Sequence, residues 1–226
     1  MAPIVSLQGV FRTVLRGLDL TIEAGEFVAL LGTAGAGKTT VLKLMGGLDY
    51  PDVGAVTVAG LRLDRLSTRA LGRWRAQHVG FVFELCHLWP MLSVERNVEM
   101  PLLTTGLSRY ERRRNVRAAL DFVGLLRHAE YKPWQLTGSQ QQRVTIARAL
   151  VADPALLVCD EPTGDFNRQT AREILDLLQS LNEHLGTTIV MATQDPLTAA
   201  CASRIVQIEA GRCMPRVPVA TALRAV

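Results

Sequence analysis

GTAGAGKTT, residues 32–40, fits the pattern G-x-x-x-x-G-K-[ST]. It follows the apolar run EFVALLG, residues 26–32, and it opens a helical pattern that extends from about Lys38 to Met45. Gly46 and Gly47 then end that pattern. A glycine-rich turn between a buried strand and a helix is the context in which this pattern binds phosphates, so the stretch predicts a P-loop in an α/β fold.

The residue types of this loop suit a phosphate chain. Glycines let the backbone turn its N–H groups toward phosphate oxygens, and the helix N-terminus adds positive potential. Lys38 would place its charge on the β- and γ-phosphates, and Thr39 would offer its hydroxyl to Mg²⁺. A chance glycine-rich turn is the alternative, and the flanking strand and helix disfavour it. We therefore expect nucleotide contacts from Gly32, Thr33, Ala34, Gly35, Ala36, Gly37, Lys38, Thr39 and Thr40.

A second motif is ALLVCDEP, residues 155–162, an apolar strand that ends in two acids. Asp160 at the strand end can hold Mg²⁺ directly or through water. Glu161 can orient or deprotonate an attacking water. Alone, the pair is equally consistent with helix-capping acids, but together with a P-loop it predicts a Walker B motif.

The chain alternates between strand and helix patterns, except in its middle third. Strand patterns dominate the first third and return in alternation with helices after Asp153-Pro154. This alternation predicts a mostly parallel sheet that is buried on both faces. We expect one domain over residues 1–226, in which 1–85 and 153–226 form the nucleotide-binding core with a β subdomain and 86–152 form a helical subdomain.

Composition and charge narrow the class of protein. The chain has 226 residues, of which 48% are hydrophobic and 20% charged, and no apolar run approaches the roughly 20 residues that span a bilayer. The start has no signal-peptide pattern, and four scattered cysteines form no C-x-x-C pair, so we expect reduced thiols in the cytoplasm. The basic run RYERRRNVR, residues 109–117, has no aromatic interleaving, which favours a solvated helix face over nucleic-acid binding.

The segment LTGSQQQRVTIARAL, residues 136–150, resembles the signature segment of ABC-transporter ATPases, usually Leu-Ser-Gly-Gly-Gln followed by a helix. With HLWPMLSVERNVEMPLL, residues 87–103, and DEPTG, residues 160–164, the chain is most similar to the ATPases of the lipoprotein-releasing and macrolide-efflux type. The resemblance extends from about Ile4 to Arg212. It implies an α/β P-loop NTPase (ABC ATPase) fold with a RecA-like core, an antiparallel β subdomain and a helical subdomain, and it implies ATP and Mg²⁺ as cofactors.

The resemblance also implies partners. ATP would lie between the P-loop of one chain and the signature of a second ABC ATPase chain, like or unlike, arranged head to tail. The contacts would come from Thr137, Gly138, Ser139 and Gln140, which open a helix and so present N–H groups to a γ-phosphate. An integral membrane permease would dock near Glu84 to Met91 and hold the chain at the cytoplasmic face, and no nucleic acid is implied.

Two departures from the family pattern fall beside the γ-phosphate. Glu84 occupies the place of a glutamine, where a carboxylate can ligate Mg²⁺ but also adds negative charge beside Asp160 and Glu161. Without metal, repulsion of about 1 to 4 kcal/mol per close pair would oppose nucleotide binding. Gln194 occupies the place of a histidine, and its neutral amide cannot carry a proton or a positive charge at neutral pH.

Other departures affect the segments that would meet across a dimer. In the signature, Thr137 replaces serine, and Ser139 adds a side chain where a glycine would let the backbone approach phosphate. After DEPTG, the family's Asn-Leu-Asp is Asp165-Phe166-Asn167, so Asn167 keeps an acceptor and loses a charge. Phe11 is the candidate to stack on adenine, and a core phenylalanine is the alternative.

The resulting hypothesis is an ATPase subunit that drives a transporter. Glu161 would act as the general base, Lys38 would stabilise charge on the transferred phosphoryl group, and Gln194 would contact the γ-phosphate. Mg²⁺ would be held by Thr39, Asp160 and Glu84. The altered residues predict slow turnover. The alternative is an ATP-gated clamp with impaired hydrolysis, or the degenerate half of a heterodimer.

Overall fold

The computed structural model describes residues 3–164 and 166–214. Ten strands occur in these ranges: β1 Val5–Arg12, β2 Leu15–Ile22, β3 Phe27–Leu31, β4 Val53–Val58, β5 Leu61–Arg62, β6 Val79–Phe83, β7 Leu156–Asp160, β8 Thr188–Thr193, β9 Arg204–Glu209 and β10 Arg212–Cys213.

Seven α-helices separate these strands: α1 Lys38–Met45, α2 Thr68–His78, α3 Val94–Glu99, α4 Arg109–Phe122, α5 Gly138–Leu150, α6 Arg168–Leu185 and α7 Pro196–Ala199. Short 3-10 helices add single turns at Leu63–Arg65, Met100–Thr104, Leu126–His128 and Pro133–Gln135. Among the residues described, no helix combines the length and the apolarity that a bilayer crossing needs.

The larger sheet has six strands in the order β10-β9-β3-β8-β7-β6. All its pairings are parallel except that of β9 with β10. Every residue of β3 and β8 is buried, as expected for strands covered on both faces. Register places Leu31 opposite Thr193 and Phe83 opposite Asp160. The carboxyl ends of these four strands therefore meet at one edge, where ligands bind in open α/β sheets.

The smaller sheet is antiparallel and has the order β2-β1-β4-β5. Strand β1 shifts register between Leu7 and Val10 and again between Val10 and Phe11. A bulge of this kind breaks the alternation of inward and outward side chains. The burial along β1 follows this break, with Val5, Leu7 and Val10 inside and Phe11 outside.

The helices close the core through apolar stripes and capped ends. In α6, Ile174, Leu178 and Leu181 recur at helical spacing and are completely buried, each contributing about 1.5–3 kcal/mol by the usual burial scale. Asn167 caps its start by accepting from the Thr170 N–H at 3.0 Å, and Gly186 ends it at φ 65°. In α4, Arg112 pairs with Glu99, while most of the other arginines are exposed.

Helix α2 is not anticipated by the strand-rich pattern of the first third of the sequence. Only Leu71 and Trp74 are buried among its eleven residues, so its hydrophobic period is too sparse to stand out. The sequence does contain one local helix signal, the N-cap residue Ser67. In the structure its hydroxyl accepts from the Ala70 N–H at 3.4 Å.

The turn between β9 and β10 supports the glycine-rich loop from behind. Gly211 donates its N–H to the Ala36 carbonyl at 3.1 Å and accepts from the Arg16 N–H at 3.0 Å. Its φ is 77°, and a β-carbon there would lie 1.9 Å from the Val14 carbonyl oxygen, so only glycine fits. A β-carbon at Gly32 would similarly lie 2.4 Å from the Ile208 carbonyl oxygen.

Candidate functional site

A cleft of about 520 Å³ opens at the carboxyl edge of the larger sheet. Four segments contribute its walls: the turn between β1 and β2, the glycine-rich loop with the start of α1, the segment after β6, and the ends of β7 and β8. The lining residues are Thr13, Val14, Ala34, Gly35, Gly37, Lys38, Thr39, Thr40, Phe83, Glu84, Leu85, His87, Asp160, Glu161 and Gln194.

Lys38 is held inside the glycine-rich loop. The residue is only 6% exposed, and Nζ donates to the carbonyl oxygens of Gly32 at 2.7 Å and Thr33 at 3.1 Å. Burial lowers the pKa of Lys38, although Glu161 and Asp160 oppose this shift. The loop therefore presents an oriented cation at the N-terminus of α1. Gly37, which precedes the helix, has a left-handed conformation at φ 110°.

Two carboxylates face the loop from the end of β7. Asp160 Oδ1 accepts from the Thr39 hydroxyl at 3.2 Å, and Glu161 Oε1 lies 3.9 Å from Lys38 Nζ. Burial raises the pKa of both carboxyl groups and outweighs the attraction of Lys38. Thr39 and Asp160 offer the hard oxygen ligands that Mg²⁺ prefers.

The backbone at Glu161 is strained. Its φ is 45°, a left-handed conformation that costs a non-glycine residue about 1–3 kcal/mol. Its N–H donates to the Ala192 carbonyl oxygen at 3.0 Å, which ties it to the end of β8. A half-buried carboxylate with a raised pKa, held in a strained turn within a cleft, is typical of a general base.

Glu84 and Gln194 complete the lining of the cleft. Both side chains are exposed. A β-carbon on Gly164 would lie 3.2 Å from Glu84 Cγ, so Glu84 lies directly over the segment after Glu161. Gln194 follows the last residue of β8, and Asp195 behind it caps α7 by accepting from the Leu197 and Thr198 N–H groups at 3.1 and 3.0 Å.

The segment Thr137–Gln140 does not line this cleft. The Thr137 hydroxyl accepts from the Gln140 N–H at 3.3 Å, while Gln140 Oε1 accepts from the Thr137 N–H at 2.9 Å, which forms a capping box at the start of α5. Ser139 Oγ lies 3.2 Å from Thr137 Oγ1. Thr137 and Gly138 are exposed, so the start of α5 presents hydroxyl and N–H groups outward.

Comparison with known proteins decides the family. The model of the family described as ABC transporter matches residues 15–164. This chain belongs to the ABC transporter family. The chain is an ATP-binding subunit of this family and hydrolyses ATP. Its fold is that of the ABC ATPases.

Individual relatives agree with this assignment. The lipoprotein-releasing system ATP-binding protein LolD of Chromohalobacter salexigens is 44% identical over 200 residues, a match that covers 88% of this chain and 84% of the relative. The macrolide export ATP-binding/permease protein MacB 1 of Yersinia pestis bv. Antiqua is 40% identical over 223 residues. That match covers 95% of this chain but 34% of MacB 1, so the chain spans about a third of this relative.

Solved structures share the fold over nearly the whole chain. The dimeric post-hydrolysis state of the ATP-binding cassette MJ0796, bound to ADP and Pi, superposes with a TM-score of 0.85 at 35% identity and covers 95% of this chain and 98% of the other. CbiO1 from Clostridium perfringens, described as part of the ABC transporter complex cbiONQ, gives 0.88 at 26% identity, covering 99% and 92%.

Phe11, the residue predicted to stack on adenine, lies two residues before Thr13, which lines the cleft. It is 43% exposed, and its ring lies over Gly17, where a β-carbon would be 3.2 Å from Cζ. It is therefore neither a core residue nor part of the cleft lining. The register shifts in β1 turn it outward, and the turn that follows it, Thr13 and Val14, lines the cleft.

Several residues that line the cleft belong to no motif that sequence analysis could recognise. Thr13 and Val14 form the two-residue turn between two predicted strands, which is a weak signal for a ligand contact. His87 reaches the cleft through a left-handed backbone at φ 44°. Asn167, expected at the dimer interface, caps α6, and its neighbour Asp165 lies outside the described residues.

Proposed function

We propose that this chain binds ATP·Mg²⁺ in the cleft as one half of a head-to-tail dimer and hydrolyses it to drive a membrane permease. One observation carries the proposal. Lys38, Thr39, Asp160 and Glu161 converge on the cleft, whereas Thr137–Gln140 open outward from a different helix. A single chain thus holds two halves of a nucleotide site that do not meet within it.

ATP would enter with its phosphates against the glycine-rich loop. The backbone of Gly32–Gly37 and the start of α1 would receive the phosphate oxygens, and Lys38 Nζ would turn from the Gly32 carbonyl to the β- and γ-phosphates. Thr40 lines the same wall. Val14 lines the cleft and the exposed Phe11 lies three residues before it, so both side chains would offer the adenine base an apolar contact.

The residues present fit Mg²⁺. Thr39 and Asp160 would hold it, since their oxygens are already 3.2 Å apart, and the exposed carboxylate of Glu84 could join them. When bound, the ion would neutralise charge on the β- and γ-phosphates. It would also relieve the crowding of three carboxylates at one edge of the sheet.

Hydrolysis would depend on Glu161 as the base. Its carboxylate lies 3.9 Å from Lys38 Nζ, so it would lie beside the end of the phosphate chain, and Lys38 would stabilise the charge that develops on the transferred group. Gln194 would donate a hydrogen bond to the γ-phosphate without supplying a charge. We expect turnover to be slow for this reason.

The signature of a second chain would close the site. Thr137, Gly138 and Ser139 would present hydroxyl and N–H groups to the partner's γ-phosphate, and Gln140 would keep this turn in shape through the capping box. The dimeric form of MJ0796 supports this arrangement. The second chain can be a copy of this one or a related ATPase.

The permease would dock beside the cleft. The segment from Glu84 to Met91 exposes large apolar side chains, with Leu85, Trp89 and Met91 at 68%, 57% and 82% exposure. Exposed apolar clusters of this kind mark interaction sites. The chain would thereby be held at the cytoplasmic face of the membrane. The names of the LolD and MacB relatives support a permease of the lipoprotein-releasing or macrolide-export type as the partner.

Glu161→Gln tests the ATPase and the dimer together. The variant should bind ATP but lose about 10²–10⁴-fold in phosphate release, because the base is removed. With ATP and Mg²⁺ it should elute as a dimer in size-exclusion chromatography. The control is Glu183→Gln, an exposed change on α6. A Glu161→Gln chain that stays monomeric at saturating ATP would contradict a homodimer and favour an unlike partner.

Met91→Asp tests the permease surface. The chain should bind ATP as the wild type does but leave the membrane fraction of its host cell. Leu185→Asp, which alters a comparably exposed leucine at the end of α6, is the matched control. If both variants remain membrane-bound, the docking surface lies elsewhere.

A further inference from the structure

Gln142 is a completely buried polar residue in the middle of α5. Its Nε2 donates to the carbonyl oxygens of Phe83 at 3.1 Å and Pro162 at 2.8 Å. Its Oε1 accepts from the Cys86 thiol at 3.1 Å. Both amide hydrogens and the amide oxygen are therefore used, and the side chain is fixed in one orientation.

The two carbonyls that Gln142 binds lie next to two of the three acids of the cleft, Glu84 and Glu161. Phe83 immediately precedes Glu84, and Pro162 immediately follows Glu161. The pairing of β6 with β7 ends at Phe83 and Asp160, so both strands leave the sheet at this point. Beyond the end of the ladder, the amide of Gln142 bridges the separated backbones.

The same helix face holds the rest of the segment after β6. Thr145 Oγ1 donates to the Cys86 carbonyl oxygen at 3.2 Å. Arg148 donates to the same oxygen and to the His87 carbonyl oxygen, each at 2.9 Å. Residues 142, 145 and 148 follow one another at helical spacing, so α5 and this segment form one body.

We propose that Gln142 is a positioning residue that fixes Glu84 relative to Glu161 and couples both to the signature at the start of α5. Thr137 precedes Gln142 by five residues, about 7.5 Å along the helix axis. A displacement of the signature by the partner's nucleotide would reach the backbone beside both Glu84 and Glu161 through this amide. The inference rests on the proposed head-to-tail dimer and adds a link between its two sites.

Gln142→Met is the principal test, because methionine has a similar length and donates no hydrogen bond. We expect kcat to fall about 10- to 100-fold, as for a misplaced catalytic group. The KM for ATP should change less than about threefold, since Lys38 and the glycine-rich loop do not contact Gln142.

The matched control is Gln179→Met on α6. Gln179 also donates from a partly buried amide to a backbone carbonyl, that of Cys201 at 3.0 Å, but it lies outside the cleft lining. Its kcat should stay at the wild-type value. A Gln142→Met enzyme with kcat within about twofold of the wild type, or an equal loss in Gln179→Met, would overturn the proposal.

A second variant keeps the proposal testable if Gln142→Met fails to fold. Gln142→Asn keeps an amide that is one methylene too short to reach both carbonyls, and it should show the same fall in kcat if Gln142→Met melts early. Wild-type kcat in Gln142→Asn would overturn the positioning role. Failure of the proposed function itself would look different, since wild-type protein would then release no more phosphate than Lys38→Ala.

Discussion

The ammonium of Lys38 lies 3.9 Å from the Glu161 carboxylate, and the same nitrogen donates to two carbonyl oxygens of the glycine-rich loop. The residue that would bind phosphate and the residue that would activate water therefore contact each other directly. Because the cation is oriented by three oxygens, its position depends on the loop and on the end of β7 together.

Lys38→Ala should weaken ATP binding by at least about tenfold, because hydrogen bonds to charged groups contribute about 1.5–3 kcal/mol. An equilibrium fluorescence titration with a labelled ATP analogue measures the change. Lys43→Ala is the control, since Lys43 is an exposed lysine of the same helix. Equal affinities of the two variants would argue against a phosphate contact at Lys38.

Asp160→Asn should stabilise the fold at neutral pH. Burial raises the pKa of Asp160 above its ordinary value, so the folded state binds this proton more tightly than the unfolded state. The resulting stability is fully present below the unfolded pKa and is lost as pH rises through the folded pKa. The amide of the Asp160→Asn variant carries no charge at any of these pH values, so the variant does not lose this stability as pH rises. Its amide oxygen can still accept from the Thr39 hydroxyl.

Thermal unfolding without nucleotide or metal measures the effect. The melting temperature of Asp160→Asn should exceed that of the wild type at about pH 7.5, and the gap should close near pH 3 as the wild-type carboxyl is protonated. Asp121→Asn, at an exposed position on α4, should show no such gap. A wild type that is more stable than Asp160→Asn at neutral pH would refute the prediction.

Gln194→His should accelerate ATP turnover. Gln194 lines the cleft and is exposed, so an imidazole can occupy the same place and carry a proton near neutral pH. We expect kcat to rise by up to about 10²-fold, the lower end of what a positioned proton-transfer group contributes. Steady-state phosphate release measures this, with Gln77→His on α2 as the control. An unchanged kcat would show that the amide does not limit the rate.

Glu84→Gln should strengthen nucleotide binding when Mg²⁺ is chelated. The exposed carboxylate then no longer repels the triphosphate, and about 1 kcal/mol at high effective dielectric corresponds to roughly fivefold in affinity. Titration with ATP in excess EDTA measures it, and Glu130→Gln provides an exposed control in the helical region. With Mg²⁺ present the difference should shrink. Identical affinities in EDTA would place Glu84 too far from the phosphates to matter.

The glycine-rich loop and its flanking elements could be predicted from the sequence because their signals are local. Helix α1 begins at Lys38 and ends at Met45, as the sequence pattern predicts. Loop, strand and helix each follow from residues within a few positions, and Asp160 and Glu161 follow from the end of an apolar run. The predicted assembly of an α/β P-loop fold of the ABC type is confirmed by the family and the related structures.

What the sequence did not reveal depends on contacts between distant segments. Gln140, Gln141 and Gln142 are alike as letters, but only Gln142 is completely buried, and its partners lie 59 and 20 residues away along the chain. The exposed position of Phe11 likewise depends on contacts between distant segments. The bulge that turns it outward becomes visible only when β1 pairs with β2 and β4.

The turn at Gly211 has a consequence for the order in which the molecule is made. The glycine-rich loop is synthesised before β9 and β10, and the Ala36 carbonyl finds its donor only when Gly211 has followed. A nascent chain that ends before β9 carries every letter of the phosphate-binding motif without the hydrogen bond that supports it. We therefore expect the loop to reach its final shape only after the turn between β9 and β10 has been made.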